Sequence, residues 1–384
     1  MHTHFQLDSN IIHLNHAAVA PWPVVTRDAV IAFAKENTAV GSQNYGCWLE
    51  TEQQLKQKMV LLINADSTDE IAILKNTSEG LSIIAQGLDF KAGDNIVVPA
   101  EEFPSNSIVW QVLTDQGVEV RSIPIQDSAQ PEQLLIAAMD SNTRLLSCSS
   151  VQFARGLRLD LALIGQACKN NQSLFCIDAI QSLGALAFDV KSCFADFVVA
   201  DGHKWMCGPE GTALFYCRKE VQPLLTLSQH GWHMMKNAFD FSHNIINKPA
   251  DHKIEEQFAE DARRFECGSP NMTGIAAMNA SLNLLLKIGI DNIQRSVLDN
   301  AAYLIKQLQA QADISVLSPT ENGRYAGIVT FIKDNTDNEK LYEKLQSNNV
   351  ICAFRGGGIR FSPHFHTTHE QIDIALDIVS NYQV

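Results

Sequence analysis

One lysine of the chain, Lys204, stands in an unusual place for its residue type. It comes four residues after the apolar run FVVA, between a histidine and a tryptophan, shortly before a Gly-Pro-Glu-Gly turn. A lysine whose surroundings lower its pKa is nucleophilic and can form a Schiff base with a carbonyl group. Asp178 ends another apolar run, LFCID, where a buried carboxylate needs a cation such as a protonated ring nitrogen. Together, the two residues favour chemistry on a carbonyl group held beside a basic ring.

Further side chains extend this interpretation. Thr77 and Ser78 open a helical pattern, and their hydroxyls with the amides of a helix N-terminus would suit a phosphate. Phe103, in the segment EEFPSN, could stack on a flat ring. A Schiff-base lysine, an acid for a ring nitrogen, a stacking aromatic and a phosphate site together describe pyridoxal 5'-phosphate, PLP.

The elements that would position these residues alternate between strands and helices. The strand candidates are EIAIL, NIVVP, VEVRSI, RLLSCSS, LFCIDA, DFVVAD and TALFYC. Helical patterns include CWLETEQQLKQKMVLLI, TSEGLSIIAQGL with Thr77 or Ser78 as its cap, and TGIAAMNASLNLLLKIGI. This alternation predicts an α/β fold with a mostly parallel sheet. Ligands bind at the carboxyl ends of such strands, where NTSEG, EEFPSN, DAIQS and DGHKW all fall.

Length and composition restrict the classes of protein. The 384 residues predict two domains, a large one ending at residue 269 and a smaller C-terminal one over 270–384. Residues 219–262 are expected to carry little regular structure. No apolar run reaches the ~20 residues of a membrane span, and no secretory signal is visible. A net charge of -14 argues against a protein surface that binds nucleic acids or anionic membranes. Nine cysteines without a CxxC pair predict a reduced, cytoplasmic protein.

Seven segments together resemble one known family. They are LNHAAVAP, NTSEGL, EEFPSN, DAIQSLG, DGHKWMCGPEG, RFECGSPN and IRFSPHFHTT, in the family's order over nearly the whole chain. The chain resembles the class V aminotransferase family of fold type I PLP enzymes. This family includes cysteine desulfurases, selenocysteine lyases, kynureninase and isopenicillin N epimerase. The resemblance implies a homodimer with shared active sites and a small amino acid as substrate. It also implies an N-terminal segment, 1–20, lining the active site, a large PLP-binding domain over 21–269 and a small α+β domain over 270–384.

The resemblance also implies a role for each matching residue. Lys204 forms the internal aldimine and later moves the α-proton of the substrate as a general base. The other implied cofactor contacts are Asp178 to the ring nitrogen, Gln181 to the ring hydroxyl, Phe103 to the ring face, Thr77, Ser78 and His203 to the phosphate, and Ser269 with Asn271 to the phosphate of the neighbouring subunit. The implied substrate contacts are Asn15, His16 and, for the carboxylate, Arg360.

Two departures from the family's pattern are informative. Asp201 replaces a serine found in many desulfurases, and we expect it to face away from the phosphate or to bind a backbone amide or His203.

Desulfurases carry a persulfide-forming cysteine on a mobile loop before the carboxylate-binding arginine. Here the interval VICAFRGGGIR is short, and Cys352 lies in an apolar run that favours the core. Persulfide transfer is therefore disfavoured.

The leading functional hypothesis is a C–S or C–Se lyase that lacks a loop cysteine. Transamination and epimerisation remain alternatives, because the cofactor contacts would look alike in all three. A nicotinamide dehydrogenase would need a GxGxxG turn after an early strand, and a PLP-sensing module would need an output domain; neither is visible. The histidine-rich segments HFHTTH and HGWH lack a metal-site spacing, so we predict no metal. Arg155 is expected to form a surface ion pair.

Overall fold

The computed structural model describes residues 4–240 and 257–382. The predicted irregular segment 219–262 is therefore described only at its two ends. These ends contain short 3-10 turns at Lys219–Leu224, Trp232–Met234 and Ala262–Phe265. Its middle, residues 241–256, lies outside the described residues.

Helices and strands alternate along the described chain. The strands are β1 Ile12–His13, β2 Ile71–Leu74, β3 Asn95–Pro99, β4 Glu119–Ile123, β5 Thr143–Ser149, β6 Leu174–Asp178, β7 Phe197–Asp201, β8 Ala213–Cys217, β9 Ile314–Val316, β10 Val329–Lys333, β11 Val350–Ile351, β12 Ala353–Arg355 and β13 Gly358–Phe361. The helices are α1 Val24–Val40, α2 Tyr45–Ile63, α3 Thr77–Gly87, α4 Ser105–Gln111, α5 Pro131–Ala137, α6 Leu161–Asn171, α7 Met272–Ile288, α8 Ile290–Gln309, α9 Asn338–Ser347 and α10 His369–Ser380.

A seven-stranded sheet forms the centre of the large domain, in the order β2-β8-β7-β6-β5-β3-β4. Within it β8 alone runs antiparallel to its neighbours. The strands β3, β6, β7 and β8 are buried at every position, as expected for a sheet covered on both faces. The predicted α/β fold with a mostly parallel sheet is thus confirmed, and all seven predicted strands belong to this sheet.

One helix start differs from the prediction. The cap of α3 is Asn76, whose side chain accepts a hydrogen bond from the backbone N–H of Glu79, so neither Thr77 nor Ser78 is the cap. Asn76 has the extended backbone, φ -163° and ψ 169°, that a capping residue adopts. The two hydroxyl residues consequently lie in the first turn of the helix.

A second, antiparallel sheet of four strands, β12-β13-β10-β9, lies in the C-terminal part. The helix α7 packs against α1 and α2, and its apolar side chains belong to the same core as the large sheet. The domain boundary near residue 270 remains a prediction. No single described helix is long and apolar enough to cross a bilayer; only α7 and α8 together, bent by 82°, reach that length and composition.

The N-terminal segment connects the two sheets. The strand β1 pairs in parallel with β11, and His16 and Ser362 lie 346 positions apart yet share a hydrogen bond of 2.9 Å from the ring to the carbonyl. The backbone carbonyl of Ala17 accepts a hydrogen bond from Gln181, and the N–H of Ala20 donates to the carbonyl of His203. The segment thereby fixes the C-terminal sheet next to the loops that follow β6 and β7.

Candidate active site

A cavity of about 330 Å³ opens at the carboxyl ends of the parallel strands. All four polar segments that follow predicted strands contribute to its wall, so their predicted convergence is confirmed. The predicted site residues in the wall are Thr77, Ser78, Phe103, Asp178, Gln181, His203, Lys204 and Arg360. The roles proposed for these side chains remain predictions.

Lys204 is buried in this wall although lysine is ordinarily a surface residue. Its Nζ lies 5.4 Å from the ring centroid of Phe103. Burial lowers the pKa of Lys204 to about 8, and the nearby Asp178 carboxylate only partly opposes that effect. An amine with this pKa is partly neutral near neutral pH, which a nucleophile or a general base requires.

Asp178 ends β6 and is 2% exposed. Burial raises its pKa to about 6, while the N–H of Ile180, donating at 3.0 Å, and the charge of Lys204 favour the carboxylate. No cation lies within ion-pair distance of Asp178 in residues 4–240 and 257–382. A buried carboxylate without an ion pair fits a ligand that brings its own positive charge, such as a protonated pyridine nitrogen.

Gln181 is fixed at both ends of its side-chain amide. Its oxygen accepts a hydrogen bond from the indole N–H of Trp205 at 2.8 Å, and its nitrogen donates to the carbonyl of Ala17 at 3.1 Å. The amide nitrogen carries a second N–H. That second donor is available for the ring hydroxyl predicted as its partner.

The first turn of α3 forms the opposite end of the cavity. The backbone N–H groups at a helix start have no partner within the helix, and they favour anions. Thr77 Oγ1 accepts the N–H of Asp201 at 3.1 Å, and Ser78 donates its hydroxyl to that of Ser105 at 2.8 Å. These side chains and amides fit the phosphate group of PLP.

Asp201 lies beside this phosphate end but faces His203. Its Oδ1 is 3.2 Å from Nδ1 of His203, which is one of the arrangements that the sequence suggested. Both side chains lie in the cavity wall, so the carboxylate of Asp201 is turned towards the imidazole at the phosphate end.

Phe103 is held in place by its preceding residue. The buried carboxylate of Glu102 accepts hydrogen bonds from the N–H of Ser149 at 2.6 Å and from the amide of Gln152 at 2.8 Å. Ser149 pairs directly with Asp178 across β5 and β6. The segment carrying Phe103 is thus anchored to the strand ends beneath the cavity, and sequence reasoning missed this role of Glu102.

Arg360 is 1% exposed and holds a charge without a carboxylate partner in the described chain. It donates to the carbonyl of Phe153 at 2.6 Å and to Oδ1 of Asn15 at 3.5 Å. Burial lowers its pKa to about 9. A buried guanidinium that lacks an anion fits a substrate carboxylate, and Asn15 helps to orient it from outside the cavity wall.

Four predicted site residues, Asn15 among them, lie outside the wall. His16 is fully buried; its ring contacts Ser362, Trp205 and other histidines, so it supports the N-terminal segment from behind. Ser269 and Asn271 are exposed, and Asn271 caps α7 by accepting the N–H of Gly274. Their predicted contact with a neighbouring subunit stays a prediction.

Other wall residues were not predicted, notably Asn76, Ser105 and Arg355. Asn76 and Ser105 stand at helix starts after parallel strands, a position that could have indicated them. Arg355 stands five residues before Arg360, on the strand that pairs with it. Its sequence signal was the repeated arginine in RGGGIR.

Among the described residues, no cysteine lines the cavity wall. The strands β12 and β13 are joined by only Gly356 and Gly357, which both have positive φ as a tight hairpin turn requires. Cys352 is buried in the apolar cluster of the C-terminal sheet. The predicted core position of Cys352 is confirmed.

The remaining predictions concern charged side chains away from the cavity. Arg155 forms the predicted ion pair with Asp127 at 3.2 Å. The ligand atoms of Glu52, His233 and Glu266 lie within 4.8 Å of one another, close enough to hold a metal ion. The ammonium of Lys56 lies 2.8 Å from Glu266 and 3.5 Å from Glu52. The positive charge in this cluster is thus supplied by a lysine side chain. That the chain binds no metal remains a prediction.

Comparisons with known proteins agree with this geometry. The sequence profile "Aminotransferase class-V" matches residues 12–374. The chain is 29% identical to a "Probable cysteine desulfurase" of Methanothermobacter thermautotrophicus over 94% of this chain and 92% of that one. It is 29% identical to an uncharacterized aminotransferase of Bacillus subtilis over 86% and 84% of the two chains.

Two solved structures share the fold. One is the complex between a cystine C–S lyase and its reaction product cysteine persulfide, with a TM-score of 0.88, 22% identity and coverage of 98% and 99% of the two chains. The other is a cysteine desulfurase from Thermococcus onnurineus, with a TM-score of 0.83, 22% identity and coverage of 96% and 94%. Both likenesses cover nearly the whole described architecture.

Proposed function

Because the chain belongs to the class V aminotransferase family and is, as predicted, a PLP-dependent enzyme, we propose that it is a C–S or C–Se lyase. Its substrate is a small amino acid with sulfur or selenium at the β-carbon. The predicted family and fold type are confirmed by the same comparisons. The relatives named above as desulfurases and as a cystine C–S lyase support the choice of reaction.

The observation that carries the choice of free release over persulfide transfer is that no cysteine is among the described residues of the cavity wall. The two-residue turn at Gly356 and Gly357 leaves no loop on which a persulfide could form. Burial also raises the pKa of Cys352 to about 12, which makes it a poor nucleophile. We propose that sulfur leaves the site as a free product.

The cavity supplies a partner for each part of the cofactor. Asp178 would pair with the ring nitrogen, Phe103 would cover the ring face, and Thr77 with Ser78 would bind the phosphate. Lys204 is the amine that would bind the aldehyde carbon. When bound, PLP withdraws electrons from the substrate's α-carbon and so stabilises the negative charge that forms there.

The chain's own residues provide the remaining steps. Arg360, oriented by Asn15 and the carbonyl of Phe153, binds the substrate carboxylate. Lys204 removes the α-proton at Nζ, and a pKa of about 8 allows it to exchange that proton near neutral pH. The C–S bond then breaks with its electron pair remaining on sulfur. With one water consumed, a cysteine-derived substrate gives pyruvate, ammonia and a thiol.

We also propose a homodimer located in the cytoplasm. Val19, which lies in the cavity wall, and Trp22 and Val25 beyond it are exposed apolar side chains suited to a subunit contact. Ser269 and Asn271 are exposed and thus accessible to a partner's site. All nine cysteines lie within the described residues and are free thiols there, which supports a reducing compartment. Sedimentation velocity at micromolar concentration tests the dimer.

The decisive experiment combines attachment and turnover. Borohydride reduction of the PLP-loaded protein should leave a pyridoxyl group on the peptide that contains Lys204, seen by mass spectrometry, and Lys204→Ala should lose it. Cysteine, selenocysteine and alanine are then compared as substrates. Release of pyruvate with sulfide or selenide supports the lyase. Lasting conversion of the cofactor to its amine form, reversed by a keto acid, would instead establish transamination.

A further inference from the structure

Glu102 is a second buried carboxylate close to Asp178, behind the wall of the active-site cavity. It is 7% exposed and is not among the described wall residues. Within residues 4–240 and 257–382 its side chain forms no ion pair. By contrast, the buried carboxylate of Glu266 contacts the ammonium of Lys56 at 2.8 Å. A carboxylate in the interior without a counter-ion is costly to the fold, which suggests that its charge has a use.

The hydrogen bonds of Glu102 fit an ionised side chain. Its Oε1 accepts the N–H of Ser149 at 2.6 Å and an amide N–H of Gln152 at 2.8 Å, and its Oε2 accepts the hydroxyl of Ser149. Donors of this kind stabilise the charged form of a carboxyl group. Burial raises the pKa of Glu102 to about 7, and these hydrogen bonds oppose that effect. Near neutral pH, the charge of Glu102 therefore depends on what surrounds it.

Ser149 connects this carboxylate to the cofactor site. It ends β5 and pairs in register with Asp178, which ends β6. The negative charge of Asp178 also raises the pKa of Glu102, so the two carboxylates interact. The thiols of Cys148 and Cys176, in the same two strands, also lie within reach of the charge of Glu102. Burial raises the pKa of both thiols far above neutral, so they stay uncharged.

Resting on the proposed contact between Asp178 and the ring nitrogen of PLP, we propose that Glu102 is a positioning residue which places a second negative charge behind that nitrogen and so helps to keep it protonated. The charge of Lys204 favours ionised Asp178 in the described chain. A protonated ring nitrogen adds another cation, and two carboxylates then face two cations. The attraction reaches beyond direct contact, because charges in a buried site are only weakly screened.

The test measures the ring nitrogen itself. Solid-state nitrogen-15 NMR of the protein loaded with PLP labelled at that atom follows its protonation against pH, because the chemical shift changes when the proton is lost. In Glu102→Gln the proton should be lost at a pH about one unit lower than in the unsubstituted protein. Glu102→Asp keeps the charge and should stay close to the unsubstituted protein. Gln152→Met removes one donor to the carboxylate, so its change should have the same sign as that of Glu102→Gln and be smaller.

Glu70→Gln is the matched control for loss of a buried carboxylate. Glu70 is 3% exposed and forms no ion pair in the part of the chain that the structure describes. It accepts the N–H of Asp66 at 2.9 Å and that of Lys219 at 3.2 Å. It stands directly before β2, whereas the cavity lies at the other end of that strand. Its replacement should leave the titration of the ring nitrogen unchanged.

An unchanged titration of the ring nitrogen in Glu102→Gln overturns the proposal. If PLP binds more weakly there while the nitrogen is unaffected, Glu102 only anchors the segment of Phe103. Should Glu102→Gln fail to fold, Gln152→Met decides, and an unchanged nitrogen in that variant overturns the proposal equally. Asp178→Asn distinguishes this failure from that of the proposed function. If it too leaves the nitrogen protonated, the contact of Asp178 with the ring is wrong; if it alone removes the proton, only the role of Glu102 is.

Discussion

Replacing Lys204 by methionine should make the cofactor-free protein more stable at neutral pH. Methionine has a similar length but no charge to bury. The difference between the ordinary pKa of 10.5 and about 8 corresponds, at 1.36 kcal/mol for each pKa unit, to about 3 kcal/mol. This is the cost of keeping the ammonium charged inside the folded cavity. At pH 7 the folded and the unfolded lysine are both protonated, so the whole cost is present.

The sign of the pH dependence follows from the same values. Between pH 8 and 10.5 the unfolded chain still binds the proton that the folded protein has lost, so the stability of the unsubstituted protein rises with pH. The advantage of Lys204→Met should therefore shrink from about 3 kcal/mol at pH 7 to near zero at pH 10.5.

Urea unfolding of both proteins at several pH values gives these differences, because all other titrating groups are shared. The exposed lysine variant Lys344→Met should change stability by less than about 0.5 kcal/mol. If Lys204→Met is no more stable than the unsubstituted protein at pH 7, then burial of the ammonium does not cost the folded protein stability, and the reasoning is refuted.

Three further predictions concern other parts of the chain. Arg360→Lys should lower kcat/KM about 100-fold, because lysine cannot form the bidentate contact with a carboxylate; steady-state kinetics measures it. Gly165→Ala should destabilise the fold by about 2 kcal/mol or more in urea unfolding, since its Cβ would lie 1.8 Å from a carbonyl oxygen, whereas Gly46→Ala has open space. Burial lowers the pKa of His13 and of His364 to about 4, so each should reduce stability by about 1.4 kcal/mol per pH unit as pH falls from 6.5 to 4. In His364→Gln, the slope of stability against pH should be smaller by about 1.4 kcal/mol per pH unit, which is the contribution of one histidine.

Much of the fold could be predicted because it depends on local patterns. Apolar runs marked the seven strands, and the polar residues after β2, β3, β6 and β7 marked the strand ends where the cavity opens. Lys204 and Asp178 stood out for a physical reason: each is a charged residue beside a buried strand. Such a placement is costly unless the charge has a use.

What sequence reasoning missed depends on contacts between distant segments. Arg355 pairs in register beside Arg360 because of the two-glycine turn between their strands. Only the overall fold, however, brings this hairpin next to the distant loops that complete the cavity. His16 matched a family segment near the site, yet packing with Ser362 places it behind the wall. The cap of α3 was predicted one or two residues late, because Asn76, Thr77 and Ser78 are all suitable capping types.

The connection between the N-terminal segment and the C-terminal sheet has a consequence for how the protein is made. Residues 12–16 lie beside residues 350–362, so they cannot reach their final place until residues 350–362 have been synthesised. Contacts between residues so far apart in the sequence form late, because the long chain between them must first be closed into a loop. Asn15 can orient Arg360 only then. A polypeptide made only as far as residue 349 would therefore contain Lys204 without a substrate site, and activity would appear only after residues 12–16 had docked against residues 350–362.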